Sequence, residues 1–91
     1  MSVRVYIPTA LRSSVGGPSV LNVQASTVEE AFNRLIKDHP ELRPRIFDEQ
    51  LKLHRFINIY VDGEDIRFKN DLSTTLMDGS EISIVSAMAG G

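Results

Sequence analysis

The chain has 91 residues, 42% of them hydrophobic and 24% charged, with no cysteine, no tryptophan and a formal net charge of −2. That length supports one small domain whose single core hides roughly 60 to 65% of the unfolded surface, and it leaves no room for a large active-site cleft. Three lysines and seven arginines within a net negative chain make no basic stripe for a phosphate backbone, so nucleic acid is not an expected partner; without cysteine the chain itself offers no thiol catalysis, cysteine-held zinc or iron–sulfur cluster.

Met1 to Val15 carries Arg4, Arg12 and Pro8 among alternating apolar positions and does not read as a signal peptide. No apolar run approaches the roughly 20 residues that cross a bilayer, so no membrane role and a cytoplasmic location are expected.

Val3, Val5 and Ile7 alternate with Arg4 and Tyr6, the period of a half-buried strand, and Pro8 ends it by removing a ladder donor. Arg12 to Pro18 is a turn cluster built on Ser13, Ser14, Gly16, Gly17 and Pro18, after which Ser19 to Ala25 reads as a hairpin partner. Ser26-Thr27-Val28-Glu29 has the form of a capping box, so a helix is predicted to start there. Val28, Ala31, Phe32, Leu35 and Ile36 form its apolar face, and His39-Pro40 closes it.

Glu41 to Lys52 is irregular: Leu42, Ile46 and Phe47 suit one short helical turn, and Asp48-Glu49-Gln50 a loop. Phe56 to Val61 alternates strongly, Asp62-Gly63 supplies a turn, and Ile66-Arg67-Phe68 is expected to return as a short strand. Asn70 to Met77 is a turn region, and Asp78-Gly79 precedes a last strand over Ser80 to Ala87. Two strands, a helix, a connection and three strands are the element order of an α+β β-grasp, a mixed sheet of about five strands with one main helix on one face. Other five-strand arrangements satisfy the same periodicity, because pattern alone does not set strand order.

The segment of about 88–91 is expected to be a flexible tail on a single domain spanning 1–91, and its end, Ala89-Gly90-Gly91, is the most informative feature. Two glycines have no side chain beyond Cα, so they can thread a narrow tunnel and present a main-chain carboxylate to a buried reagent. Such a carboxylate is inert until adenylation gives it a leaving group that a thiol or amine can displace. Glycine at about 7% of residues would end a chain twice running only about once in 200 cases.

The opening Val5-Tyr6-Ile7-Pro8-Thr9 with Leu11-Arg12 and Gly16-Gly17, the central run Leu53 to Val61 followed by Glu64 to Phe68, and the Ala-Gly-Gly end resemble the ubiquitin-like sulfur carriers of the MoaD/ThiS superfamily. Within it the central run is most similar to the CysO carriers of cysteine biosynthesis; ThiS-type carriers lack much of the segment from Pro40 to Lys52. The resemblance implies no catalysis by this chain. It implies that the Gly91 carboxylate is adenylated with ATP by an E1-like enzyme and converted to a thiocarboxylate, with Gly90 and Ala89 letting the tail thread. A cysteine synthase carrying pyridoxal phosphate then uses that sulfur, and a zinc-dependent JAMM-type protease releases the product; neither cofactor belongs to this chain. A molybdopterin synthase small subunit, or a modifier joined to target proteins through Gly91, would need the same tail.

If the helix covers the face bearing Val3, Val5, Ile57, Ile59 and Ile84, then Tyr6, Phe56, Tyr60 and Val85 project from the other face as a candidate partner-binding patch. Arg55 and Arg67 could flank it, and the segment from Glu41 to Lys52 could instead fold over part of it. His39 and His54 lack ligand spacing and are not expected to bind metal. Glu29-Glu30, Asp48-Glu49 and Glu64-Asp65 read as solvated surface rather than acid/base pairs.

Overall fold

The computed structural model describes residues 1–86. Strand β1 (Ser2–Tyr6) buries Val3 and Val5 and pairs antiparallel with β2 (Val20–Gln24) in the register Val3↔Val23 and Val5↔Leu21. Helix α1 (Val28–Asp38) crosses the sheet, and a 3-10 turn at Pro40–Leu42 leads into the single turn α2 (Arg43–Ile46). Strands β3 (Ile57–Val61), β4 (Glu64–Asp65) and β5 (Glu81–Ser86) complete a five-stranded sheet of order β2-β1-β5-β3-β4. Among the described residues only β1 and β5 run parallel; the other pairings are antiparallel. This mixed sheet with its helix on one face is the β-grasp.

The core lies between α1 and the inner sheet face. Val28, Ala31, Phe32 and Leu35 meet Val3, Val5, Ile59, Ile82 and Ile84, all essentially out of solvent. Ile36, expected in that core, sits at its margin and is only partly buried. Leu42 and Ile46 are fully buried in the same core, and Phe47 meets Phe32 edge to face, with centroids 6.1 Å apart. The segment from Glu41 to Lys52 therefore packs on the helix side and does not fold over the outer face.

Four local expectations are corrected. Thr9–Val15 is a 3-10 stretch rather than only turn, because Leu11 and Val15 both reach the core while the Arg12 Nε–H donates to Ile7 O at 3.1 Å. Gly16, at φ 84°, ends it in a left-handed conformation natural to glycine, with the Gly17 amide donating to Arg12 O. The capping box is shifted by one residue. Thr27 is the N-cap, its Oγ1 accepting from the Glu30 amide at 3.1 Å, and the Glu30 carboxylate accepts from the Ser26 amide at 2.7 Å.

The return strand after Gly63 is only two residues long, and Ile66–Phe68 is a 3-10 turn. The cause is Asp65, whose carboxylate takes the Arg67 amide at 2.8 Å and so bends the chain out of the ladder. The last strand begins at Glu81, since the Ser80 hydroxyl accepts from the Met77 amide to close a turn; its predicted end, Ala87, lies outside the described residues.

Candidate functional site

β5 lies between β1 and β3, so its outward side chains stand beside those of both neighbours. The registers Tyr6↔Ser83 and Tyr60↔Ser83 place the two tyrosines in one row on either side of Ser83. The next row, toward the end of β5, pairs Asn58 with Val85, and Val85 is 42% exposed. Both rows face away from the core, because Val5, Ile59, Val61, Ile82 and Ile84 at the alternate positions face into it. Tyr6, Tyr60 and Val85 thus share the outer face.

Phe56 does not stand in that strand. It lies in the turn ahead of β3 and stacks on His54, the rings 4.9 Å apart and 9° from parallel. The His54 amide donates to Ile46 O, and its Nε2 is 2.9 Å from Pro44 O, so this pair fastens α2 to the entry of β3.

Electrostatics organise the rest of the face. Tyr6 Oη donates to Glu81 Oε2 at 2.9 Å, and Arg4 reaches the same oxygen at 3.0 Å. The hydrogen bond to the Glu81 carboxylate, more than partial burial, holds the Tyr6 phenol above its usual pKa. At the other end of the tyrosine row Asp65 is the register partner of Tyr60. Its nearly buried carboxylate grips the Arg67 guanidinium at 2.6 Å, and the bonds from Arg67 hold it below the usual carboxylate range. Arg67 accordingly flanks the patch with its charge already matched, whereas Arg55 is exposed and forms no ion pair among the described residues.

Arg55 and Arg67 line one groove of about 510 Å³ together with Leu51, Leu53, Asn58 and Leu72. β4 covers only Tyr60 and Val61, which leaves the Ile57–Ile59 edge of β3 open to this groove. Ser86, where the described chain ends, is the register partner of Ile57. Gly91, Gly90 and Ala89, the predicted sulfur-bearing end, lie outside the described residues.

The acidic pairs are not merely solvated surface. Glu30 closes the helix cap, Asp48 Oδ1 takes the amides of Gln50 and Lys52 to shape a loop, and Asp65 anchors Arg67. Glu81 and Asp65 were missed as organisers of the site. The signal for Glu81 was Arg4, two residues before Tyr6 on the same face and opposite in charge. Among the described residues no group of three or more histidine or acidic side chains is placed to hold a metal ion, and no helix is long and apolar enough to cross a membrane.

A model of the ThiS family matches residues 5–91. The chain belongs to the ThiS family. This ThiS family member is 39% identical over 93 aligned residues to the sulfur carrier protein CysO of Mycobacterium tuberculosis, with both chains covered in full. It superposes on a chain in the crystal structure of the Amycolatopsis orientalis BexX/CysO complex with a TM-score of 0.89 and 40% identity, covering 98% of this chain and 99% of that one. The solution structure of small archaeal modifier protein 1 from Methanosarcina acetivorans matches with a TM-score of 0.83 and 31% identity, over 99% of this chain and 96% of that one.

Proposed function

We propose that the chain is a sulfur carrier, a protein co-substrate that works through the carboxylate of Gly91. Likeness to CysO over the full length of both chains, the Ala89-Gly90-Gly91 segment included, carries this reading. An E1-like enzyme transfers AMP from ATP to the carboxylate and releases pyrophosphate. A sulfide donor then displaces AMP, and one carboxylate oxygen has been exchanged for sulfur. The thiocarboxylate serves cysteine formation: it adds to an aminoacrylate held by a pyridoxal phosphate-dependent cysteine synthase, and a zinc-dependent JAMM-type protease frees the cysteine. ATP, pyridoxal phosphate and zinc are bound by those enzymes and not by this chain.

The outer face bearing Tyr6, Tyr60 and Val85 is the proposed docking surface for the activating enzyme, with Arg55 beside it for acidic groups. Rigid aromatics on an open sheet suit an anchor of this kind. The Amycolatopsis orientalis relative crystallised with BexX supports protein partners for a chain of this shape.

The test is intact mass after incubation with ATP, a sulfide donor and the cognate activating enzyme. Replacement of one oxygen by sulfur is expected, and none in a chain lacking Gly91. No mass change with an enzyme of demonstrated activity overturns the reading. The likeness to small archaeal modifier protein 1 supports a second reading, attachment through Gly91 to lysines of other proteins. Conjugates on target lysines, with no cysteine formed by the synthase, would favour it.

A further inference from the structure

The two edges of the sheet are built differently. β4 is two residues long, both acidic, and the chain leaves it at once for a 3-10 turn. Short, charged edges of this kind resist pairing with another strand. β2 is the opposite: five residues, Val20-Leu21-Asn22-Val23-Gln24, without a charge and, among the described residues, paired only to β1.

The hydrogen bonds from the Ile7 amide to Ser19 O at 2.8 Å and from the Ala25 amide to Met1 O at 2.9 Å set the phase of this hairpin. Odd-numbered residues of β2 turn their main-chain groups to β1, so Val20, Asn22 and Gln24 turn theirs outward. Leu21 and Val23, on the helix side, are only half-buried at the margin of the core.

We propose that β2 pairs antiparallel with β2 of a second copy of this chain, about a two-fold axis at Asn22, to make one continuous sheet. A two-fold contact sets the strand against its own copy, so a strand of one net sign would repel itself; β2 carries no charge. The residue at the axis must complement itself, and the Asn22 amide both donates and accepts. Val20 then faces Gln24 of the copy, giving about six main-chain hydrogen bonds from three bonded pairs. Leu21 meets Val23 of the copy and covers apolar surface that is half-exposed in the monomer. Arg34, Lys37 and Asp38, which border the groove between β2 and α1, bring both signs of charge to the flank. β1 separates β2 from β5, so the outer patch on each copy stays open.

An edge contact of five residues falls in the small class of interfaces, below about 1,200 Å² in total. Weak, transient encounters belong to that size class, and the proposal places the dissociation constant at about 10 μM to 1 mM.

Sedimentation equilibrium across that range tests it, with Asn22→Lys as the breaking variant and circular dichroism to confirm that the variant folds. Wild type is expected to move from monomer to dimer with concentration, and Asn22→Lys to stay monomeric. Because the chain has no cysteine, Asn22→Cys supplies a second, positional measurement. Hydrogen-bonded partners stand about 5.5 Å apart at Cα, within disulfide range. Asn22→Cys should oxidise to a linked dimer at least tenfold faster than Ser13→Cys, an exposed control. A wild type that remains monomeric throughout overturns the proposal. So does a dimer that Asn22→Lys leaves intact, or equal oxidation rates for the two thiols.

Discussion

Tyr6 and Glu81 meet across the parallel β1–β5 pairing through a 2.9 Å hydrogen bond from the phenol to the carboxylate. The bond favours the protonated phenol, and its pKa in the folded chain is raised. A raised folded value means that this contribution to stability is complete below the ordinary tyrosine pKa of about 10 and is lost as pH rises through the folded value. Spectrophotometric titration of tyrosinate in Glu81→Gln is expected to show Tyr6 ionising at lower pH than in wild type. An unchanged titration curve would mean that Glu81 does not govern Tyr6.

Glu30, Asp48 and Asp65 all have folded pKa values lowered, chiefly by the amides or guanidinium that bond their ionised forms. The sign is opposite to that of Tyr6. These groups contribute stability above the usual carboxylate range of about 4, and it is lost as pH falls through their folded values. Thermal midpoints should therefore drop steeply below about pH 4, and Asp65→Asn should flatten that slope while lowering the midpoint at neutral pH. Parallel curves for variant and wild type would count against the assignment.

The shifted cap gives a prediction that separates the two registers. With Thr27 as N-cap, Thr27→Ala should cost about 1 kcal/mol in urea unfolding. Ser26→Ala, which loses only a 3.3 Å hydroxyl contact to Glu30, should cost clearly less. The reverse order would put the cap at Ser26.

Phe32 is the largest of the fully buried side chains. Phe32→Ala should cost about 3–5 kcal/mol, a large part of the stability of so small a chain. Phe47→Ala, at the half-buried partner of the same ring pair, should cost less. Denaturant midpoints of the two variants measure the difference.

Val85 is exposed on the proposed docking face and lends nothing to the core. Val85→Asp should raise the KM of the activating enzyme for the carrier about tenfold, with kcat and the thermal midpoint nearly unchanged. Unaltered kinetics would move the docking surface elsewhere.

Much of this was legible because alternation and helical spacing are local signals. Val3, Val5, Ile59, Ile82 and Ile84 announce strands by period, and Val28 to Leu35 a helix face by spacing. What escaped was decided by side chains acting on the backbone. Ile66-Arg67-Phe68 has the composition of a strand, but the Asp65 carboxylate claims the Arg67 amide, and no period reports that. Ser26 and Thr27 are both competent caps, and the bonds of Glu30 to the Thr27 hydroxyl and the Ser26 amide distinguish them. Leu42 and Ile46 carry too short a pattern to reveal that they complete the core under Phe32. Tyr6, Tyr60 and Val85 could be set on one face from parity alone, whereas the claim of Asp65 on Arg67 depends on how tightly the chain turns after β4.

The sheet joins its first strand to its last described strand, and β5 holds the centre with β1 and β3 on its flanks. Such contacts span nearly the whole chain, and the entropy of closing so long a loop makes folding slower. Without β5, the β1–β2 and β3–β4 pairings have no strand to join them. The tyrosine row exists once β5 has joined them. A chain broken off before Glu81 would lack both the centre of the sheet and the face proposed for docking, so the fold and that face stand or fall together.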